Sequence, residues 1–325
     1  MKKIASLLLV LALVAASAFA QVSGAMVTFG LISDTHVCDK PDQSTAIALN
    51  ASPRYFTGGL AKIEAFSAAM NAAGADFVAE LGDFTDNPAT PGLTSVQRRE
   101  TAMGFMRAAE AKLSLFKGPR YHVFGNHDTD QASKADFLSI AKNTDIAPGA
   151  SYYGFDKGGV HFIVLDSSFR ADGASYSGIP GESGAGYTWD DANISANELK
   201  WLAADLEAAK APVVILSHQQ LNNQELIDSA YDPKHTVRNA SVVRGILETS
   251  GKVLAVFGGH YHDGGYQEIS GIKYIVLQAN AAYGNDASYH NQYSTVKIFS
   301  EGNKYTLALS GAGIQRSYAF SKILY

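Results

Sequence analysis

The chain has 325 residues, with 26 Lys and Arg against 31 Asp and Glu and a formal net charge of −5. That balance argues against a broad phosphate-binding face for a nucleic-acid polymer, and 46% hydrophobic against 18% charged residues excludes an extensively disordered chain. The lone cysteine, Cys38, excludes an intrachain disulfide and a cysteine-based zinc site, so any metal must be held by His, Asp, Glu or Asn.

Residues 1–20 begin with Lys2 and Lys3, run apolar from Ile4 and end in Ala18-Phe19-Ala20. This is the pattern of a cleaved export signal with Gln21 as the mature N-terminus. No cysteine stands at the cleavage point to carry a lipid, and no later run is apolar for long enough to span a bilayer. The expectation is an exported protein, periplasmic or secreted, with one domain over residues 21–325.

Apolar runs rich in β-branched residues follow at 26–33, 76–81, 121–124, 160–165, 212–217 and 253–257. They read as buried strands, each ending at a polar or glycine-containing junction. Helical periodicity fills 57–73, 95–116, 195–209 and 237–248, and Ser195 with Glu198 reads as a capping box. Past residue 265 the pattern is of strands alone, at 272–277, 293–299 and 304–309. Strand–helix alternation with a late run of strands predicts an α/β layered sandwich. The stretch 167–193, rich in Gly, Ser, Ala and acids, predicts a long surface loop.

The strand ends together supply Asp34 and His36; Asp83 and Asp86; Asn126, His127 and Asp128; His218; and His260 with His262. In open α/β sheets the ligand crevice lies outside the carboxyl ends of the strands, where these residues cluster. A single His or Asp at such a place is ordinarily a hydrogen-bonded loop or turn residue. Five ligand-bearing junctions in one chain point to a metal centre instead. Carboxylate, imidazole and amide oxygen suit Mn²⁺, Fe or Zn²⁺, and the ligand types do not rank the three. Two ions about 3.5–4 Å apart can clamp both oxygens of an in-line displacement at phosphorus. His122 and His161 lie within apolar strand context and read as structural.

Asp34-x-His36, Gly82-Asp83, Gly125-Asn126-His127-Asp128, His218 and Gly259-His260-x-His262 resemble, in this order, the motifs of the calcineurin-like metallophosphoesterases. The resemblance implies a four-layer α-β-β-α sandwich of two mixed sheets flanked by helices. It implies one divalent ion on Asp34, His36, Asp83 and His262 and a second on Asp83, Asn126, His218 and His260, with Asp83 bridging and hydroxide between the ions as nucleophile. His127 is then no ligand but faces the substrate and assists the leaving oxygen, and Asp86 is the acid that orients it. Asp128 is either a supporting carboxylate or the cap of the next helix.

Purple acid phosphatases have Tyr where this chain has Asp86, which sets that subgroup aside. Arg54-Tyr55-Phe56, the segment from Asn239 through Leu247, and Gly259-His260-Tyr261-His262-Asp263-Gly264-Gly265-Tyr266 are similar to manganese-dependent ADP-ribose/CDP-alcohol diphosphatases. His36, where that group often has Gln, is instead more like the general phosphodiesterases. The implied activity is hydrolysis of phosphodiester or pyrophosphate bonds in small nucleotide-like substrates. A phosphomonoesterase on the same metals, and a catalytically silent metal-stabilised binding protein, are the alternatives. Candidate ring contacts are Tyr176, Tyr187, Trp189, Tyr231, Tyr283 and Tyr289, and candidate phosphate clamps are Arg54, Arg170 and Arg238. Cys38, two residues past His36, has no role as a ligand.

Overall fold

The computed structural model describes residues 24–43, 53–224, 231–281 and 291–325. The export segment with Gln21, and Tyr283 and Tyr289, lie outside the described residues. In chain order the elements are β1 (Val27–Ile32), α1 (Gly59–Ala73), β2 (Phe77–Glu80), α2 (Ser95–Leu113), β3 (Arg120–His122), α3 (Lys134–Ile140), β4 (Tyr153–Lys157) and β5 (Val160–Val164). There follow α4 (Ala196–Ala208), β6 (Val213–Leu216), α5 (Ala240–Ser250), β7 (Val253–Gly258), β8 (Gly265–Ile269), β9 (Ile272–Val276), β10 (Tyr293–Glu301), β11 (Lys304–Ala312) and β12 (Tyr318–Ile323).

The strands form two six-stranded sheets, ordered β12-β11-β10-β1-β2-β3 and β4-β5-β6-β7-β9-β8. Both are mixed. In the first, β1, β2 and β3 run parallel while β10, β11 and β12 add antiparallel. In the second, β5, β6, β7 and β9 run parallel, with β4 and β8 antiparallel at the edges. The sheets face each other across an apolar core in which Phe29 stacks on Phe77 at 4.9 Å and meets Phe162 edge-on at 5.2 Å. The outer face of the first sheet is covered by α1, α2 and α3 through Ile63, Phe66, Met106 and Phe137. That of the second is covered by α4 and α5 through Leu202, Leu206, Val243 and Leu247. The expected four layers are present, and helices on both outer faces explain why the central strands are apolar on both sides.

Three strands and one helix carry no clear signal in the sequence: β4, β8, β12 and α3. The strands are all sheet edges, and β12 alternates between half-buried and exposed residues along its whole length. An edge strand needs no unbroken apolar run, so its composition resembles a loop. The expected capping box at Ser195 is only half formed. Ser195 Oγ accepts from the Glu198 amide at 3.2 Å, but the Glu198 carboxylate accepts from the Asp166 amide at 2.8 Å and so anchors the end of β5. Complete boxes occur at Thr94 with Gln97 and Ser133 with Asp136.

The loop 167–193 is folded back on itself by bridges between Ser168 and Asn193, Phe169 and Ser175, and Ser177 and Ala185. No described helix is long and apolar enough to cross a membrane.

Candidate metal centre and catalytic histidine

The chain turns sharply just past β1, β2 and β7, and the turns carry the ligand-type residues. Asp34, His36, Asp83 and His260 have φ of 54°, 47°, 53° and 64°, a left-handed backbone uncommon for residues with a side chain. Such strain persists only where surrounding contacts impose it, and it clusters at functional sites. Here the contacts are backbone hydrogen bonds from the Asp34 amide to the Gly82 carbonyl and from the His36 amide to the Asp83 carbonyl, both 3.0 Å. Close approach of the loops also demands glycine. A Cβ on Gly125 would lie 2.0 Å from the Asp83 amide nitrogen, and one on Gly259 would lie 1.9 Å from Ser33 Oγ and 2.6 Å from Asp34 Oδ2.

Asp83 is tied at Oδ1 and open at Oδ2, whereas both oxygens of Asp34 accept from the His260 amide at 3.1 Å. Asp34 Oδ2 also accepts from Ser33 Oγ at 2.5 Å, and Oδ1 faces His262 Nε2 at 3.6 Å and His36 Nε2 at 3.9 Å. Asp83 Oδ1 accepts from the His127 amide at 2.8 Å. Its Oδ2 lies between His218 Nε2 at 3.3 Å and His36 Nε2 at 3.8 Å. The far nitrogen of His218 is held as metal-binding imidazoles usually are, and that of His36 lies against a carboxylate. His218 Nδ1 donates to the Leu81 carbonyl at 2.8 Å, and His36 Nδ1 lies 3.2 Å from Asp86 Oδ2. Among the described residues four groups of side chains could hold an ion: Asp34 with His36 and His262, Asp83 with His218 and His260, His36 with Asp83 and His127, and Asp86 with His127 and Asp130. Asp83 reaches the first group as well, through His36.

A test of fit comes from the polar atoms. Asn126 Oδ1, His218 Nε2 and His260 Nε2 are buried without a well-formed hydrogen bond, a costly state for isolated polar groups. All three belong to one proposed ligand set, so a cation there would satisfy them together. Electrostatics agree. Burial, then Arg54, lowers His36 to about 4. Burial also holds His260 and His262 well below the usual imidazole range, aided by His218 for the former and Arg54 for the latter. Neutral imidazole is the ligand form. His218 differs: burial lowers its pKa, but Asp83 outweighs it and lifts the value to about 9. A cation would displace that proton.

His127 occurs only in the last two of the four groups, and its charge differs from that of the neutral rings. Burial works against its charge, yet Asp130, Asp86 and Asp83 together raise it to about 10. The family resemblance implies Asp86 as its partner, but the structure places Asp130 closer, with Oδ2 at 2.6 Å from His127 Nδ1 against 3.5 Å for Asp86. Asp86 is shared among His36, Lys40 at 2.7 Å and Arg54 at 3.5 Å. An acid three residues past a histidine in a tight turn was the available signal for Asp130. Asp128 is a support rather than a helix cap. Its carboxylate accepts from the amides of Asp83, Thr85 and Gly125 at 3.1, 3.1 and 3.0 Å.

A cavity of about 660 Å³ opens beside His127, with Asn126, Tyr187, Trp189, Asp190 and Lys234 among its walls. Tyr187 and Trp189 thus reach the site, whereas Tyr176 and Tyr231 are buried in packing. Arg54 lies against Asp86, but Arg170 pairs with Asp172 and Arg238 donates to the Asp190 carbonyl. Cys38 is half-buried and its thiol is pushed up to about 12 by burial, as befits an inert side chain. His122 contacts Glu80 and Glu110, and His161 contacts Asp156 and Asp205, so neither joins the ligand groups.

The profile of the calcineurin-like phosphoesterase family matches residues 27–264. Among characterised proteins, the chain is similar to a manganese-dependent ADP-ribose/CDP-alcohol diphosphatase of Oryza sativa subsp. japonica. The two are 24% identical over 285 residues, covering 78% of this chain and 83% of that protein. Among solved structures, a dimetal phosphatase from Danio rerio superposes with a TM-score of 0.71 at 21% identity, covering 93% of this chain and all of that one. The anchor in the inner membrane complex of Plasmodium superposes with a TM-score of 0.51 at 11% identity, over 92% of this chain and 89% of that one. The matched span runs from the first strand to just beyond His262 and takes in every ligand-type residue gathered at the strand ends, so the chain belongs to the calcineurin-like phosphoesterase family.

Proposed function

We propose that the protein is an exported binuclear-metal phosphoesterase that hydrolyses phosphodiester or pyrophosphate bonds in small, nucleotide-like substrates. Asp34, His36, Asp83 and His262 would hold one divalent ion, and Asp83, Asn126, His218 and His260 the other. The observation that carries this reading is the pair of ligand groups meeting at Asp83 Oδ2, with unsatisfied ligand atoms on Asn126, His218 and His260. When bound, such ions supply Lewis acidity toward phosphoryl oxygens and acidify a water nucleophile. The chain's own groups do the rest. Cationic His127 faces the cavity and donates a proton or hydrogen bond to the departing oxygen. Asp83 is tied at Oδ1 by the His127 amide and Asp34 is oriented by Ser33 and the His260 amide, so the oxygens facing the ligand histidines, Asp83 Oδ2 and Asp34 Oδ1, are held in place. The cavity beyond His127 leaves room for a second substituent on phosphorus, which favours a diester or pyrophosphate over a monoester. The diphosphatase activity named for the Oryza sativa relative supports the same substrate class and manganese as the ion. Export rests on residues 1–20.

The test is turnover by protein beginning at Gln21, stripped and reloaded with Mn²⁺, Zn²⁺ or Fe²⁺. The panel holds a phosphomonoester, a simple diester, a cyclic nucleotide, ADP-ribose and CDP-choline. Preference for ADP-ribose, CDP-choline or a diester is expected. A clear preference for the monoester refutes the substrate class, and no turnover in any metal form refutes the enzyme. Mass spectrometry of protein recovered outside the cytoplasm should show an N-terminus at Gln21.

A further inference from the structure

The short contact between Asp130 and His127 belongs to a network that reaches into the loop 167–193. Asp130 Oδ2 accepts from Asn87 Nδ2 at 2.7 Å as well as contacting His127 Nδ1 at 2.6 Å. Its other oxygen lies 3.0 Å from the Tyr187 hydroxyl, which is also 2.7 Å from the carbonyl oxygen of Asn126. One loop hydroxyl therefore touches both the residue before His127 and the carboxylate against its ring. Tyr187 cannot swing freely, because its ring stacks on buried Tyr176 at 4.1 Å and 11°. Tyr176 is pinned in turn by its hydroxyl, 3.1 Å from the Thr188 carbonyl. Asn87 is steadied by Gln131 Nε2 at 2.8 Å. Asp86, by contrast, is divided among Lys40, Arg54 and His36 and makes only a long approach to His127.

We propose that Asp130, clamped by Tyr187 and Asn87, is the positioning residue for His127, so that the loop 167–193 sets how well the leaving oxygen is assisted. This rests on the reading of His127 given above. A carboxylate fixed at both oxygens confines the imidazole to one ring orientation, the role that partner groups of functional histidines commonly fill. The aim of His127 matters most when the leaving oxygen is a poor leaving group, because a stable phenolate departs without a proton.

The test compares wild-type protein with Asp130→Asn and Tyr187→Phe on methyl p-nitrophenyl phosphate and methyl phenyl phosphate. Asp130→Asn should lose on the order of ten- to a hundredfold in kcat on the phenyl ester and far less on the nitrophenyl ester. Tyr187→Phe, which keeps the stacked ring, should shift the ratio several-fold in the same direction. Metal content should not change in either variant. Equal losses on both esters would mean that Asp130 is merely structural and would overturn the proposal. A second measurement is independent of turnover. In zinc-loaded protein the low-field ring proton of His127, assigned with His127→Gln, should vanish in Asp130→Asn and move in Tyr187→Phe. An unmoved signal in both overturns the positioning role, whereas wild-type protein inert on both esters and on the whole substrate panel above sinks the phosphoesterase reading and leaves this spectrum to decide the network.

Discussion

Asp128 accepts hydrogen bonds from three backbone amides, those of Asp83, Thr85 and Gly125, and it is fully buried. Replacement by alanine strands three donors in the interior. At about 1–3 kcal/mol for each unsatisfied group, the loss is about 3–9 kcal/mol. Water entering the vacated space would bring the value to the low end. A domain is typically stable by only ~5–15 kcal/mol, so this is a large share. Asparagine is the informative comparison. With its single oxygen at the Oδ2 position it keeps the Asp83 and Gly125 bonds and sets its amide against the Thr85 N–H, a cost of about 1–3 kcal/mol. The predicted order is therefore wild type, then Asp128→Asn, then Asp128→Ala, in urea unfolding of the metal-free proteins followed by tryptophan fluorescence. Metal content by elemental analysis should fall in the same order, because the Asp83 loop loses its anchor. An Asp128→Ala protein within about 1 kcal/mol of wild type and still loaded with metal would refute the argument.

Three further outcomes are expected. Asp83→Asn should abolish phosphoester hydrolysis and lower metal content, while His127→Gln should lose activity yet keep its metal; joint loss of metal in His127→Gln would show that His127 is itself a ligand. Gly259→Ala, whose Cβ would collide with Ser33 Oγ and Asp34 Oδ2, should displace Asp34 and weaken metal binding by at least tenfold, with unchanged affinity counting against the packing account. Burial opposes charge on His122, but Glu110 and Glu80 raise its pKa to about 9 from an ordinary 6.5. The raised folded value means that its stabilisation is fully present below pH 6.5 and drains away as pH rises through about 9, by on the order of 3 kcal/mol. Unfolding of His122→Gln should show a flatter profile over that window, and a profile parallel to wild type would reject the assignment.

The architecture was legible wherever a segment is buried on both faces. β1, β2, β5, β6, β7 and β9 announce themselves as apolar runs because layers cover them above and below, whereas edge strands β4, β8 and β12 read as loops. The two sheets and their helices follow from the order of such runs, but which strand lies at an edge depends on pairing between distant segments.

The site divides along the same line. Asp34, His36, Asp83, Asn126, His127, His218, His260 and His262 were legible because ligand-type residues at strand ends are a local pattern, and the topology then carries them to neighbouring places on the sheet rims. Other features needed three dimensions. Asp83 keeps Oδ2 open because the His127 amide, 44 residues on, takes Oδ1, and Asp34 is oriented by adjacent Ser33 and by the His260 amide 226 residues away. Asp86 and Asp130 are equally plausible partners for His127 by spacing alone, and 2.6 Å against 3.5 Å separates them. The contribution of Tyr187 arises because a loop 57 residues beyond Asp130 folds back over it. Residue types and their order specify which chemistry is available; the close approach of remote backbone segments selects which of several similar groups performs it, because hydrogen bonds and charge pairing act over a few ångströms and are indifferent to separation along the chain.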